Sequence, residues 1–480
     1  MAVARRIAYN VFVSSISKIL STILALVAIG FITRYLGTEG FGEYAIVLAF
    51  LSFFAALADL GLYPIATREI SRAGADEEKI ISNIFSLRII TAIAVFIISP
   101  IVVWAFPYPE EVKKGIIIVA ASFIFSSGYQ VLNGIFQKRL IMDRVAIAEL
   151  VGKIIQVGVV ILAVRKGLGF NWVVSALLLN MVVSFTIVFL LAKKYVRFVF
   201  KVDLKQWKSF LKESLPMGIS SIIIFIYFKM DTILLSIMKG SAEVGIYNAA
   251  YKVLENITFF PAMVVGLVFP IMSKNIFINK AEFKNISNKT FKFFIVMVVP
   301  LIVGVLFLSE EIINIIGGGE FAQSAPVLRI LVFALGLIFF GHFFNNILIA
   351  GNLQKKLVKI LAVVAIINVV GNLIFIPRFS YFGSAYISVI TEMVVVFLTA
   401  LMVFRKIDYV PRAEKFSSIL LSGLIMASFL FVFKEFNFFM LTLGGALIYF
   451  IFLWIFKAVK TSELLSLISR KGVEEYEEIP

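Results

Sequence analysis

Apolar runs of roughly 20 residues recur along the whole chain, and this feature limits its fold more than any other. A run of this length crosses the hydrocarbon core of a bilayer as one helix. Hydrophobic residues make up 61% of the chain, well above the roughly 45–50% of a soluble domain. The sequence therefore predicts an all-α polytopic membrane protein with about fourteen transmembrane helices, at residues 11–33, 41–63, 82–106, 115–136, 146–164, 171–192, 214–238, 246–272, 291–309, 325–350, 357–377, 382–404, 417–433 and 438–456.

One motif occurs twice. Residues 37–44 read Gly-Thr-Glu-Gly-Phe-Gly-Glu-Tyr, and residues 240–247 read Gly-Ser-Ala-Glu-Val-Gly-Ile-Tyr, each between two apolar runs. Six predicted spans separate the copies, so both enter the membrane from the same side, as in parallel-repeat transporters. The predicted parts are an N-terminal lobe at 1–192, a basic cytoplasmic linker at 193–212, a C-terminal lobe at 213–406, and an appended hairpin with an acidic tail at 407–480.

The basic residues indicate how the helices are oriented. Of the 45 lysines and arginines, 31 fall in segments on the side of the N-terminus, counting Lys292 and Lys359 at the adjoining ends of two spans. Another 8 fall in loops on the other side, and six lie deeper within spans. This bias places the basic side in the cytoplasm. We therefore expect a multi-pass protein of the plasma membrane with both termini cytoplasmic. The net charge of +16 follows from topology and from contact with anionic lipid headgroups, so we expect no nucleic-acid partner.

Several ionisable side chains fall inside the predicted spans. A charge at mid-membrane costs roughly 2.5–3.5 kcal/mol on insertion scales, so each should meet water, a partner or a ligand. Lys229 and Asp231 are two residues apart and point to different faces of a helix, so at least one must meet another helix or water. The candidates for substrate binding in a central cavity are Lys18, Arg88, Lys153, Lys229, Asp231, Lys252 and Glu255, and those for ion coupling are Asp231 and Glu392.

Each candidate also has a structural interpretation. Lys18 and Arg88 lie near the cytoplasmic ends of their spans and can snorkel to the interface. The spacings of residues 252/255 and 149/153 allow an ion pair within one helix. Asp59 precedes a helix break and fits either a cap or an interhelical pair. The sequence leaves these alternatives open.

Several classes of chemistry lack the residues they need. The chain has no cysteine, which excludes disulfides, thiolate catalysis and cysteine-ligated metals. His342 is the one histidine, so no histidine metal cluster can form. No Walker motif, nucleophile elbow or zinc signature is present. We expect neither a cofactor nor a metal, and we expect a transporter rather than an enzyme.

Short motifs in a particular order carry a family resemblance. They are Thr33-Arg-Tyr-Leu-Gly37, Gly42-Glu-Tyr44, Asp59-Leu-Gly-Leu62, Arg68-Glu-Ile-Ser71, Lys229-Met-Asp231-Thr232, Gly245-Ile-Tyr247-Asn-Ala-Ala-Tyr251, Ala350-Gly-Asn352, Asn368, Asn372 and Gly383-Ser-Ala385. Over essentially the full chain they resemble the polysaccharide-exporter branch (PST) of the MOP flippase superfamily, the O-antigen-type flippases.

The resemblance implies a MATE-like fold with two pseudo-symmetric six-helix lobes around a central cavity and the last two spans appended. It implies a flippase that moves a polyprenyl- or dolichyl-(pyro)phosphate-linked oligosaccharide from the cytoplasmic to the outer leaflet by alternating access. Cationic cavity residues would meet the anionic phosphate. The expected partners are this glycolipid, membrane lipids, and a glycan polymerase or glycosyltransferases, with the chain itself a monomer.

Two other functions remain open. The first is a cation-coupled multidrug antiporter of the sister MATE family, which should have twelve spans and an unpaired acid in the N-terminal lobe. The second is a membrane glycosyltransferase or glycan polymerase. Enzymes of that class carry large outer loops or clusters of catalytic carboxylates, and this sequence has neither.

Overall fold

The computed structural model describes residues 2–59, 61–72 and 74–459, and in these residues the chain is helical almost throughout. A single 3₁₀ turn, Gly319–Phe321, interrupts the described α-helices. The helices are α1 Ala2–Asp59, α2 Leu62–Ser71, α3 Glu77–Trp104, α4 Glu110–Lys138, α5 Met142–Lys166, α6 Phe170–Ala192, α7 Leu204–Met238, α8 Ser241–Ile257, α9 Phe259–Ile278, α10 Lys280–Gly317, α11 Ser324–Ala350, α12 Gln354–Phe379, α13 Tyr381–Ile407, α14 Phe416–Val432 and α15 Phe438–Ile455.

The predicted spans coincide with these helices. Twelve described segments are long and apolar enough to cross a membrane. The first of them contains two predicted spans, because α1 runs on through Gly37, whose φ of 66° and ψ of −172° are not helical. The shorter apolar helix α14 accounts for the remaining span. The prediction of an all-α polytopic membrane protein is therefore confirmed.

Two predicted helix boundaries differ from the structure. The span at 246–272 is two helices, since α8 ends at Ile257 and α9 begins at Phe259. Pro261 explains the break, because a proline ring clashes with the carbonyl four residues earlier, here that of Ile257. The linker at 193–212 is also shorter than predicted, because α7 already begins at Leu204.

The chain forms two compact units. The first contains the described residues up to Ala249 together with Ile315–Phe321 and Leu361–Ile387. Its apolar core packs α2, α3, α4, α5 and α6 against one another. The second unit holds the other described residues, and there α14 and α15 pack on α10. The Tyr449 hydroxyl donates to the Val296 carbonyl at 2.9 Å, which ties the predicted hairpin to that helix.

The two copies of the repeated motif contact each other within the first unit. A Cβ placed on Gly42 would lie 1.7 Å from the Ser241 carbonyl oxygen, and one placed on Gly245 would lie 1.9 Å from the Thr38 carbonyl oxygen. Thr38 and Ser241 occupy equivalent positions in the two copies, so the contact is reciprocal. We call these four residues the glycine seam. Only glycine allows backbones to approach this closely.

A second pair of equivalent contacts flanks the glycine seam. Thr33 and Ser236 lie nine residues before Gly42 and Gly245, respectively. The Thr33 hydroxyl donates to the Ile316 carbonyl at 2.6 Å, just before the connection from α10 to α11. The Ser236 hydroxyl lies 2.8 Å from the Tyr108 hydroxyl, in the connection from α3 to α4. These connections are equivalent in the two predicted halves, as a two-fold relation between them requires.

Substitution of the seam glycine tests this packing. Gly42→Ala should lower the apparent Tm in detergent, because overpacking a close contact costs about 1–3 kcal/mol. Gly158→Ala is the matched control, since a Cβ there would meet nothing within 4 Å. Alanine has the higher helix propensity, so the control should leave Tm unchanged or raise it. Equal shifts of Tm in the two variants would contradict a close helix crossing at Gly42.

Candidate functional site

Asp231 is buried and held by α8. Its side chain is 3% exposed. It accepts hydrogen bonds from the Tyr247 hydroxyl and from the Thr232 backbone N–H, the latter at 2.7 Å. Tyr247 is the tyrosine of the second copy of the repeated motif. At least one of Lys229 and Asp231 was expected to meet another helix or water, and Asp231 meets another helix.

A neutral polar pair extends this contact between α7 and α8. Thr232 Oγ1 lies 3.3 Å from Asn248 Nδ2, which also donates to the Val244 carbonyl at 3.0 Å. Both side chains are buried. Lys229 is half-buried on the same helix. Because Lys229 lies two residues before Asp231 on the helix, the two side chains point about 200° apart around the helix axis.

Arg88 joins three helices of the first unit. Its side chain is 1% exposed. One terminal nitrogen donates to Asp59 at the end of α1, and the other donates to Gln130 Oε1 on α4 at 2.9 Å. Of the two alternatives for Asp59, the structure thus gives the interhelical pair. Arg88 is enclosed by protein, so in this conformation it neither snorkels nor lines an open surface.

The polar residues of α5 bond to both neighbouring helices. Glu149 accepts from the Tyr129 hydroxyl on α4 at 2.6 Å. Lys153 Nζ donates to Gln156 Oε1 at 3.1 Å, and Asn180 Nδ2 on α6 donates to the same oxygen at 2.9 Å. Gln156 is buried, whereas Lys153 is half-buried. The lysine is therefore the accessible end of a buried amide network.

Lys252 and Glu255 form an ion pair on α8, as their spacing predicts. They lie in the second unit, directly before the helix break at Thr258. The lysine side chain is 15% exposed and the carboxylate side chain 38% exposed. A pair of this kind is neutral as a whole while its acid still reaches the surface.

The last two candidates are Lys18 and Glu392. Lys18 on α1 is exposed, and Ser17 beside it is buried. Glu392 on α13 is buried, close to α11, where a Cβ on Gly341 would lie 4.0 Å from its Oε2. Among the candidates, Lys229 and Asp231 thus lie on the same helix, α7, and Arg88 is paired with Asp59.

Sequence reasoning missed several residues of these networks. Tyr247 was noted as part of the repeat, but nothing in the pattern showed that it holds Asp231. Gln130 and Gln156 are polar residues within the predicted spans, and their partners lie on helices distant in sequence. The available sequence signal for these networks was the presence of both amide and charged side chains within the predicted spans. Among the described residues, no three His, Asp or Glu side chains come together as a metal site requires.

Comparison with known proteins identifies similar sequences and folds. Residues 7–276 match the profile of the family described as "Polysaccharide biosynthesis protein". The "Probable low-salt glycan biosynthesis flippase Agl15" of Haloferax volcanii is 25% identical over 428 residues, which cover 87% of this chain and 88% of that protein.

Solved structures share the fold at low sequence identity. The structure titled "Lipid II flippase MurJ, inward closed conformation" superposes with a TM-score of 0.78 at 18% identity, covering 95% of this chain and all of that one. An inward-facing multidrug resistance MATE family transporter of the MOP superfamily gives a TM-score of 0.68 at 16% identity, covering 83% of this chain and 98% of that one. The MATE-like fold expected from the sequence is therefore confirmed.

The buried pair of Arg88 and Asp59 can be tested by stability. Arg88→Met leaves a carboxylate without its partner, which should cost about 3–5 kcal/mol. Arg329→Met is the matched control, because Arg329 and its partner Glu310 are 40% and 73% exposed and such pairs contribute about 0–1 kcal/mol. The double variant Arg88→Met/Asp59→Leu should recover most of the loss. Thermal unfolding in detergent measures all three, and equal losses in both single variants would contradict a buried ion pair.

Proposed function

The chain belongs to the polysaccharide biosynthesis protein family, and we propose that it is a flippase for a lipid-linked oligosaccharide. The substrate is a polyprenyl- or dolichyl-(pyro)phosphate carrier that bears a glycan, moved from the cytoplasmic to the outer leaflet. The observation that carries the proposal is the family match, which includes both copies of the repeated motif. The flippase name of the Haloferax relative supports it.

The charges within the spans fit an anionic headgroup. Lys18 is exposed, and Lys153, Lys229 and Lys252 are half-buried, Lys252 in an ion pair with Glu255. Placing lysines at membrane depth is costly, and a ligand of opposite charge offsets that cost. Lysine binds phosphate as a point charge. The acids Asp59 and Asp231 contact Arg88 and Tyr247, respectively.

No bond is made or broken in such a cycle, so the protein acts as a transporter and not as a catalyst. The phosphate and sugars pass through the protein while the lipid tail stays in the bilayer.

The bias of basic residues implies cytoplasmic termini in the plasma membrane. The glycine seam then lies at the outer face. Alternating access requires this seam to open when the glycan leaves.

The MATE-type antiporter is the second candidate, and the shared fold is the observation that favours it. An antiporter needs an acid that can release and take up a cation. Glu392 and Asp231 are the buried acids available for this role. The same reconstituted protein can be assayed for glycolipid flipping and for efflux of cationic drugs, which separates the two candidates directly.

Substitution of Lys229 tests the proposed path. In proteoliposomes with a fluorescent lipid-linked oligosaccharide, Lys229→Ala should slow leaflet exchange by at least about tenfold. Loss of one charge-assisted contact of about 1.5–3 kcal/mol accounts for that factor. Lys229→Arg should restore most of the rate, because the charge is kept. Lys284→Ala, which removes an exposed lysine outside the predicted spans, is the matched control and should have no effect.

Lys252→Ala extends the test to the second unit, where the same slowing is expected. The rate is read as the fraction of glycan that becomes accessible to an added glycosidase. Unchanged flipping in both lysine variants, together with robust efflux of a cationic drug, would overturn the flippase proposal in favour of the antiporter.

A further inference from the structure

The segment that joins α6 to α7 is fixed along α3 by its own backbone. We call this segment together with the first residues of α7, residues 193–212, the strap. Residues 196–203 lie outside any helix, and the N–H groups of three alternate residues donate to polar side chains of α3 that are themselves buried. The three bonds are Val199 N to Ser82 Oγ at 3.1 Å, Lys201 N to Ser86 Oγ at 2.8 Å and Asp203 N to Asn83 Oδ1 at 2.9 Å.

Apolar contacts hold both ends of the strap. The ring of Phe198 lies 5.4 Å from that of Phe85 and 5.5 Å from that of Phe189. Val196 and Phe210 are buried in the same core as α3 and α4. Asp203 accepts from the first N–H groups of α7 and so caps that helix. The strap is therefore a surface of defined shape rather than a loose connection.

The outward side of the strap is strongly basic. Its two nearest acids already have partners, since Asp203 lies 3.8 Å from Lys79 and Glu213 pairs with Arg68. The lysines at 205, 208 and 212 follow helical spacing and share one face of α7. Seven cations are exposed: Lys193, Lys194, Arg197, Lys201, Lys205, Lys208 and Lys212.

Large apolar side chains stand between these cations. Val199, Phe200, Val202 and Leu204 are 66%, 59%, 52% and 73% exposed. The strap directly follows the membrane-spanning α6, so it lies at the membrane surface. Cations interleaved with exposed apolar residues are typical of segments that lie in the headgroup region of an anionic membrane.

We propose that the strap is a docking surface for the anionic phospholipid headgroups of the adjacent leaflet. The phosphodiesters neutralise the seven cations, and the four apolar side chains enter the boundary between headgroups and acyl chains. This occupant fits better than an acidic protein, because it accounts for the charge and the apolar side chains together. The proposal goes beyond the flippase function and does not depend on it.

The absence of native cysteine allows a direct test. Phe200→Cys is labelled with bimane in the full-length protein and reconstituted in vesicles of phosphatidylcholine and phosphatidylglycerol. In one preparation the phosphatidylcholine is brominated, and in the other the phosphatidylglycerol is brominated. Both preparations contain the same fraction of brominated lipid. Brominated phosphatidylglycerol should quench the probe at least twofold more than brominated phosphatidylcholine. High salt should abolish the difference, because it screens exposed charges.

Two matched sets of four lysines then locate the effect. The strap set, Lys201→Gln/Lys205→Gln/Lys208→Gln/Lys212→Gln, should remove the preference for phosphatidylglycerol. The control set, Lys274→Gln/Lys280→Gln/Lys284→Gln/Lys289→Gln, changes exposed lysines of another segment and should keep it.

Three results would overturn the proposal. The first is equal quenching by the two lipids in the protein with the native lysines. The second is no quenching by either lipid, which would place the strap in water or against a protein. The third is loss of the preference in the control set as well, which would make it an effect of overall charge. If the protein with the four strap substitutions does not fold, the salt dependence of quenching in the protein with its native lysines still tests the proposal. None of these readouts involves glycolipid flipping.

Discussion

The rest of this structure depends on the contact between the two copies of one motif. At the glycine seam, Gly42 and Gly245 each lie against the backbone of the other copy. Inside a bilayer, close backbone packing replaces the hydrophobic driving force that is missing between apolar helices. Thr33 and Ser236 add equivalent hydrogen bonds on either side. A duplicated sequence thus becomes a two-fold contact between α1 and α8.

The four residues of the glycine seam are uncharged, so the ionisable side chains within the spans make their contacts elsewhere in the structure. Arg88 and Asp59 neutralise each other, and the Tyr247 hydroxyl stabilises Asp231. Lys153 and Lys229 remain half-buried on helices that also carry buried polar groups. This division of buried acids and accessible lysines differs between the halves, since the positions equivalent to Lys229 and Asp231 in the first half are apolar. The proposed headgroup path therefore follows the asymmetry between the copies rather than the repeat.

Much of this arrangement could be predicted from the sequence because it is local. Span lengths follow from apolar runs, and the pairing of Lys252 with Glu255 follows from helical spacing. The helix break at Thr258 could have been read from Pro261, yet hydropathy alone conceals it. The partner of Asp231 and the attachment of the strap to Asn83 could not be predicted, since both join residues on different helices. A single sequence carries no signal for those pairings.

In the proposed transport cycle, the two copies of the motif must separate for a glycolipid to cross. Thr38→Cys/Ser241→Cys places one thiol on each side of the seam in a chain without other cysteines. A short reducible bis-thiosulfonate should stop flipping of a lipid-linked oligosaccharide in proteoliposomes, reduction should restore it, and the single-cysteine variants should be unaffected. Flipping that continues at full rate with the seam cross-linked would contradict the account.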